Sequence, residues 1–405
     1  MDVTTFGSML AQDAANAGFI ATFINTTAKG LAIGGVYAII ALGFVITFKA
    51  TQVVNFAQGA LAASGGLFLS FLVFDRPDQN SPPGQTPFTT WRAPFAGDGL
   101  PDVGEQWASV ILISVLMAIA VGALSGWKSY VTAAAGAAGA FVFMLVVAAL
   151  NVGWIEWVGY LFIALLFGAL LGMILERLAI RPMIGEPLFS MAVITLGLEI
   201  AVRVFTNDST KILNRPIQAP WRGDPAVDET PGGFVAGGLF YNWSYFAIYL
   251  AVALSFIAVY FFYRSKLGVA MRAVSFDQEA AMAQGIKVGQ VFAIAWAAGA
   301  ALAVLGGVFA TQPPIDQAGA VGLTTVFVAF RALPAVILGG LDSVQGALAG
   351  GLLIGLAEIY AGQYLSHWTG TLGPGYQQIV PYIVMMAVLL VRPFGLFGTP
   401  EIRRV

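Results

Sequence analysis

Apolar runs long enough to cross a bilayer alternate with short polar segments along most of the chain. A transmembrane helix needs about 20 predominantly apolar residues, and the clearest runs are 31–48, 157–175, 188–205, 243–262 and 291–310. Further apolar segments lie at 52–74, 107–126, 131–150, 324–341, 346–365 and 377–391. The pattern predicts an all-α integral membrane protein, a polytopic bundle of about 8–11 transmembrane helices with broken or re-entrant segments.

Segment 52–74 differs from the other apolar segments because polar residues and glycines interrupt it. They are Asn55, Gln58, Gly59, Gly65 and Gly66. Irregular backbone at membrane depth is tolerated only where it is buried in protein or lines a cavity, and transporters commonly bind substrate where a helix is interrupted. We therefore expect these residues to line a substrate pathway. The alternative is that Asn55 and Gln58 simply bond a neighbouring helix.

Charge indicates the orientation, because positive residues are kept on the cytoplasmic side of a membrane. Basic residues occur at Lys49, in the loop 176–187, in the polar segment 264–290 and in the C-terminal tail. Segments 75–106 and 206–242 are rich in Pro and Gly, and we expect them to be external loops. This distribution predicts an external N-terminus and a cytoplasmic C-terminus.

The composition agrees with a membrane protein and excludes several kinds of site. Of 405 residues, 58% are hydrophobic and only 10% are charged, whereas about 25% of the residues of a soluble protein are charged. Cysteine is absent, and the single histidine, His367, leaves no room for a His-based metal cluster. We expect no cofactor and no nucleic-acid partner, because no basic stretch is long enough to follow phosphates.

The sequence also lacks the motifs of common catalysts. A phosphate-binding P-loop requires a Gly-Lys dipeptide, and none is present; nor is a GxSxG nucleophile elbow. An intramembrane enzyme would need an acid pair drawn from Glu199, Asp342 and Glu358. Glu199 can instead pair with Arg203 four residues later, Asp342 can cap a turn, and Glu358 can face the interior or the interface. We therefore expect no enzymatic activity in this chain.

Glycines at four-residue spacing indicate close packing between helices. The sets are Gly346, Gly350, Gly351 and Gly355, then Gly30 and Gly34, then Gly168 and Gly172. We interpret most of them as helix contacts without a role in transport.

The polar segment 264–290 is longer than a connector requires. Within it, Asp277 is placed to cap a short helix and Gly285 is placed to end it. The residues expected to contact a cytoplasmic partner are Arg272, Asp277, Glu279, Ala280, Ala281 and Gly285. Glu279-Ala280-Ala281 followed by Gly285 resembles the EAA loop of ABC-importer permeases, whose coupling helix docks on a separate ATPase. The alternative is an ordinary loop helix that contains these residues by chance.

Other stretches resemble the H-type (LivH-like) permeases of branched-chain amino-acid ABC importers. They are GLAIGGVYAIIALGFVITF at 30–48, VVNFAQGALAASGG at 53–66, ERLAIRPMIGEP at 176–187, AGAALAVLGGVFA at 298–310, LPAVILGGLDSVQGALAGGLLIGLAE at 333–358 and LLVRPFGLFG at 389–398. The chain departs from the family where Gln58 and Ala60 replace a histidine and an acid. Asp342 and Gln345 also depart from it, and 107–150 resembles an inserted helical hairpin.

The resemblance implies one transmembrane permease domain over 1–405 in a bacterial cytoplasmic membrane, surrounded by lipid. It implies a second, M-type permease, two ATP-binding cassette subunits and an extracytoplasmic solute-binding protein as partners. Branched-chain or other small amino acids would cross by alternating access, driven by ATP hydrolysis in the separate subunits. A related permease for urea or short amides is an alternative, and a stand-alone channel or secondary carrier is another.

Overall fold

A computed structural model describes residues 18–73, 153–183, 187–210, 214–217, 219–221, 232–236, 239–315, 320–366, 373 and 375–398. The predicted external loop at 75–106 and the predicted hairpin at 107–150 lie outside the described residues. So do most of the N-terminal segment and the end of the C-terminal tail.

The described residues form helices with a few short strands. The helices are α1 (Phe19–Thr51), α2 (Gln58–Val73), α3 (Gly153–Leu175), α4 (Leu188–Thr210), α5 (Trp243–Arg264), α6 (Lys266–Phe276), α7 (Gln278–Ala283), α8 (Val288–Ala310), α9 (Leu323–Gly339), α10 (Val344–Tyr364) and α11 (Val380–Val391). A π-helical turn (Glu176–Ile180) and 3-10 turns (Arg181–Met183, Tyr376–Gln378) add to them. The strands are β1 (Asn214–Pro216), β2 (Gly233–Ala236), β3 (Leu239–Asn242) and β4 (Ala320–Gly322), paired antiparallel as β1–β4 and β2–β3.

Helix α1 is the centre of the bundle. It is apolar around its whole circumference, as expected of a helix that is buried on all sides, and its middle residues from Val36 to Leu42 are almost completely buried. Helices α5, α8, α9 and α10 surround it. Its closest neighbour is α10, because Gly34 and Gly355 lie face to face and leave no space for a side chain at either position. The predicted role of these glycines in helix packing is therefore confirmed.

Several helices are long and apolar enough to cross a membrane. Among the described residues they are Ile20–Thr51, Trp157–Met183, Phe189–Asp208, Trp243–Arg264, Val288–Ala310 and Val344–Tyr364, with shorter apolar helices at Thr325–Gly339 and Tyr376–Val391. The outer face of α5 is apolar and exposed at helical spacing, through Trp243, Phe246, Leu250, Leu254, Ile257 and Phe261. Such a stripe fits contact with lipid, so the prediction of an all-α polytopic membrane protein is confirmed.

Segments that the sequence predicts to be cytoplasmic meet at one end of the bundle, here called the basic end. The Nζ atom of Lys49 lies 5.1 Å from the ring centre of Tyr263, and Arg181 bonds the backbone of Gly289. The chain beyond α11 reaches the same end, where the N–H group of Leu396 donates to the carbonyl of Leu338 at the end of α9.

Segments predicted to be external meet at the other end, here called the distal end. Trp221 lies between Trp157 of α3 and Phe309 of α8, with ring centres 4.7 and 5.9 Å away. Strand β1 from the predicted loop 206–242 pairs with β4, and the Ser244 hydroxyl donates to the carbonyl of Pro313 at 2.7 Å.

Two details of the predicted segments are wrong. Helix α1 begins at Phe19 rather than near residue 31 and is continuous to Thr51. Gly65 and Gly66 do not interrupt segment 52–74, because both lie inside the continuous helix α2 and pack against the side chains of Val304 and Val321. The actual interruption is the non-helical stretch 52–57.

Candidate functional site

The polar segment 264–290 forms two helices that lie across the basic end. Ser265 caps the start of helix α6, because its hydroxyl accepts a hydrogen bond from the N–H group of Gly268 at 3.3 Å. Arg272 is exposed, and its guanidinium donates to the carbonyl of Tyr263 at 2.7 Å. Arg272 therefore fixes α6 against the last turn of α5.

Helix α7 is short, yet both of its ends are capped. At the start, the side chain of Asp277 accepts a hydrogen bond from the N–H group of Ala280 at 2.9 Å, and Glu279 lies in the first turn, where the helix dipole favours an acid. The structure therefore confirms the cap that the sequence predicts at Asp277.

At its other end α7 terminates in a Schellman motif. The N–H of Gly285 donates to the carbonyl of Met282, and the N–H of Ile286 donates to the carbonyl of Ala281. Gly285 has a φ of 82°, a left-handed conformation that favours glycine. Ala281 and Ile286 supply the apolar contact that accompanies this motif. Gly285 ends the helix as predicted, and α7 is locked to the chain that follows it.

One face of this loop packs on the bundle and the other is exposed. Ala281 is buried in a cluster with Leu42 and Ile46 of α1 and with Val288 and Phe292 of α8. The opposite face exposes Phe276, Asp277, Glu279, Ala280, Met282, Ala283 and Gln284. Phe276 is 92% exposed and Met282 is 50% exposed. An exposed surface of apolar, small and acidic side chains on a well-packed base is suited to binding another protein.

The non-helical stretch 52–57, here called the polar turn, is buried rather than exposed. Asn55 and Gln58 are both 0% exposed. Asn55 closes the turn, because its Oδ1 atom accepts from the N–H of Ala57 at 3.1 Å and its Nδ2 atom donates to Gln58 Oε1 at 3.3 Å. Gln58 then donates from Nε2 to the carbonyl of Gly299 in α8 at 3.0 Å.

Thr195 of α4 completes the polar turn, and no local sequence signal points to it. Its hydroxyl accepts from the N–H of Phe56 at 3.2 Å. Its single proton can go to the carbonyl of Ala192 in the same helix, at 2.8 Å, or to the carbonyl of Val54, at 3.1 Å. Backbone groups of the turn are thus bonded by side chains from two places in the chain, Asn55 in the turn itself and Thr195 of α4, as buried backbone groups require. The bond from Gln58 to α8 agrees with the helix-contact interpretation, whereas Asn55 bonds only within the turn and to Gln58. Gly59 lies against the carbonyl of Val326.

The intramembrane acids have partners of their own. Glu199 pairs with Arg203 at 2.8 Å within α4, as the spacing predicts. Glu358 faces the interior, where it accepts a 2.7 Å hydrogen bond from the hydroxyl of Tyr37. Asp342 lies in the turn between α9 and α10, but the cap of α10 is the neighbouring Ser343. Within the described part of the chain, no three acidic or histidine side chains are grouped to hold a metal ion.

Comparison with known protein families decides what kind of protein carries these features. Residues 26–159 and 131–389 match the family of branched-chain amino acid transport system permease components. The chain belongs to this permease family. It is therefore a permease component that works with the other subunits of a transport system.

Permeases of this family from several organisms are similar along much of the chain. LivH of Escherichia coli K12, a high-affinity branched-chain amino acid transport permease, is 24% identical over 388 residues, which cover 95% of this chain and 98% of LivH. BraD of Pseudomonas aeruginosa is 31% identical over 58% of this chain and 72% of BraD. A LivH protein of Methanocaldococcus jannaschii is 27% identical over 59% of this chain and 74% of that relative. No solved structure matches the chain.

Proposed function

We propose that this permease is the membrane-spanning subunit of an ATP-driven ABC importer for branched-chain amino acids. The cargo is taken from the relatives, whose names describe branched-chain amino acid transport. The energy source must lie in another subunit, because the chain has no P-loop. The permease then contributes the path through the membrane and the surface on which the ATPase acts.

The observation that carries this proposal is the capped helix α7 with its exposed outer face. A helix of six residues is marginal on its own, yet Asp277 and the turn at Gly285 hold α7 at both ends. Phe276 and Met282 present apolar surface beside the acid Glu279. We assign this surface, together with the exposed Ala280, as the face of the coupling helix that docks on a cytoplasmic ATPase. Ala281, which the sequence placed among the partner contacts, is buried and instead packs the helix on the bundle.

The basic end would face the cytoplasm. Arg177, Arg264, Lys266, Arg272 and Lys287 are exposed there, and positive charge is retained on the cytoplasmic side. This orientation puts the N-terminus outside and the C-terminus inside a bacterial cytoplasmic membrane. The distal end would then receive the extracytoplasmic solute-binding protein.

The transporter would also contain an M-type permease and two ATP-binding cassette subunits. ATP binding would bring the ATPases together and displace α7, and the membrane helices would alternate between outward-facing and inward-facing states. We propose that the substrate passes the polar turn, along Asn55, Gln58, Gly59, Gly65 and Gly66. Because Gln58 bonds the carbonyl of Gly299, access to these groups requires α2 and α8 to separate.

Purification of the assembled complex followed by ATPase assays in lipid tests this function. We expect an ATPase to co-purify with the permease, and a binding protein loaded with leucine to stimulate its activity. Stimulation by a urea-loaded binding protein alone would keep the ABC mechanism and change the cargo. Solute flux through the isolated permease, without any associated ATPase, would contradict the proposal and leave a channel or secondary carrier.

A further inference from the structure

Arg181 joins two transmembrane helices at the basic end. It lies in the 3-10 turn that follows α3, and its Nε and Nη2 atoms donate to the two carboxylate oxygens of Glu176 at 3.1 and 3.0 Å. The same Nη2 atom donates to the carbonyl of Gly289 at 2.8 Å. Gly289 is the second residue of α8, so one side chain links the end of α3 to the start of α8.

The local backbone is shaped to form this link. Glu176–Ile180 is a π-helical turn in which the N–H of Arg181 donates to the carbonyl of Glu176, and π turns often occur at functional sites. Glu176 is 0% exposed, which makes a charged partner necessary. A Cβ atom on Gly289 would lie 3.3 Å from the Cζ atom of Arg181, so glycine allows the guanidinium to approach the helix closely.

The start of α8 is also the continuation of the coupling helix. Only the Schellman turn and Lys287 separate α7 from α8, and Ala281 packs in the same cluster as Val288 and Phe292. A displacement of α7 is therefore passed first to the start of α8. Helices α3 and α8 also pack along their length, with Gly168 against Val304 and Gly172 against Trp296. The Arg181 bond adds a polar link between them at the end nearest α7.

We propose that Arg181 is a positioning residue that makes α3 and the start of α8 move as one unit when the coupling helix is displaced. The inference rests on the proposed function for the role of α7, but the link itself is a property of this chain. Glu199 and Arg203 form a similar ion pair at 2.8 Å inside α4. Because that pair lies within one helix, it provides a matched control.

Arg181→Lys separates the link from simple charge neutralisation. Lysine keeps a positive charge beside Glu176, but its single ammonium group cannot reproduce the planar fork that bonds Glu176 through two atoms and also reaches Gly289. Arg203→Lys makes the same change in the control pair. Glu176→Gln is a second variant, which keeps the guanidinium and removes the charge that orients it.

Spin labels can measure the link directly, because the chain contains no cysteine. We would introduce Leu178→Cys, at a position 72% exposed in the π-helical turn, and Gln290→Cys, at an exposed position near the start of α8. Distances between the two labels would be recorded in the assembled transporter in lipid, without nucleotide and with trapped ATP. Transport per ATP hydrolysed would be measured on the same variants without labels.

With Arg181 intact, we expect one narrow distance distribution that does not change with nucleotide. Arg181→Lys and Glu176→Gln should broaden it even without nucleotide and should lower transport per ATP by about tenfold, a coupling effect typical of residues in direct contact. Arg203→Lys should change neither the distance distribution nor the transport per ATP. Unchanged distances and transport in both test variants would overturn the inference. Failure of both variants to assemble would also overturn it, because Arg181 would then have a purely structural role. Absence of ATP-driven transport in the wild type would count against the proposed function alone.

Discussion

The loop 264–290 and the polar turn 52–57 are both polar interruptions of an apolar chain, but their polar groups face opposite ways. In the loop, the caps of α7 are closed by neighbours within a few residues, and Glu279 and Gln284 face outward. At the polar turn, Asn55 and Gln58 are fully buried; Asn55 bonds Gln58 and the turn itself, and Gln58 bonds the distant helix α8. The loop thus presents its polar residues to a partner, whereas the polar turn uses them to hold the bundle together.

This difference decides what a mutation should change first. An exposed side chain can be replaced with little effect on folding, so changes in the loop should affect coupling and leave stability intact. A buried polar group that loses its partner costs about 1–3 kcal/mol, so changes in the polar turn should lower stability first.

The largest effect on stability is expected from Thr195→Val. Valine keeps the shape of the side chain but removes the hydroxyl that bonds the N–H of Phe56 and lies beside the carbonyl of Val54. Because the buried N–H group of Phe56 loses its partner, the free energy of unfolding should fall by about 1–3 kcal/mol. Thermal unfolding of the purified protein in lipid measures this loss.

Thr195→Ser is the matched control, because it keeps the hydroxyl and removes only a methyl group. It should be clearly more stable than Thr195→Val. Equal stability of the two variants would show that the hydroxyl does not support the polar turn.

A smaller effect, on coupling rather than on stability, is expected from Glu279→Arg. The exposed acid lies in the first turn of α7, where reversed charge would face the partner and oppose the helix dipole. Transport should fall by about tenfold, which corresponds to about 1.4 kcal/mol, while the unfolding temperature stays close to that of the wild type. Uptake assays in proteoliposomes measure the change.

Gly285→Val reaches the same helix by a different route. It adds no charge and has open space for its side chain, but the left-handed backbone at Gly285 would cost about 1–2 kcal/mol in strain. It should also reduce transport while the protein remains in the membrane. Normal transport in both Glu279→Arg and Gly285→Val would show that α7 takes no part in coupling.

The sequence predicts these two regions unequally well, and the reason is the distance between bonded residues. The caps of α7 were predictable because Asp277 and Ala280 are three residues apart and Gly285 follows the same helix. The family resemblance also identified the loop. The caps and the resemblance both depend only on short stretches of sequence.

The polar turn and the Arg181 link depend on residues far apart in the chain. Thr195 is 139 residues from Phe56, and Arg181 is 108 residues from the backbone carbonyl that it binds. Gly65 and Gly66 suggested a broken helix. They instead leave room for the side chains of Val304 and Val321, which pack against them. A glycine in an apolar segment can indicate either a break or a close contact, and only the tertiary structure distinguishes the two.

The smallest effect on transport is expected from Gln58→Ala, which should also lower stability because Asn55 and the carbonyl of Gly299 lose their partner. If Gln58 lines the substrate pathway, removing its amide should raise the KM for uptake by about fivefold, equivalent to the loss of one hydrogen bond of about 1 kcal/mol, without changing association with the ATPase. Ser64→Ala is the control, since Ser64 is a buried residue of the same helix that bonds Thr206 at 2.9 Å. Unchanged uptake kinetics in Gln58→Ala would restrict its role to the contact with α8.

The central claim, that the exposed face of α7 and its flank bind the ATPase, is tested most directly by site-specific photo-crosslinking in the assembled transporter. A photoreactive amino acid would replace Phe276, which is 92% exposed at the basic end, or Val235, which is 64% exposed at the distal end. The account predicts a crosslink to the ATPase from position 276 and none from position 235. A crosslink from position 235 alone, or none from position 276 in a complex that contains the ATPase, would contradict it.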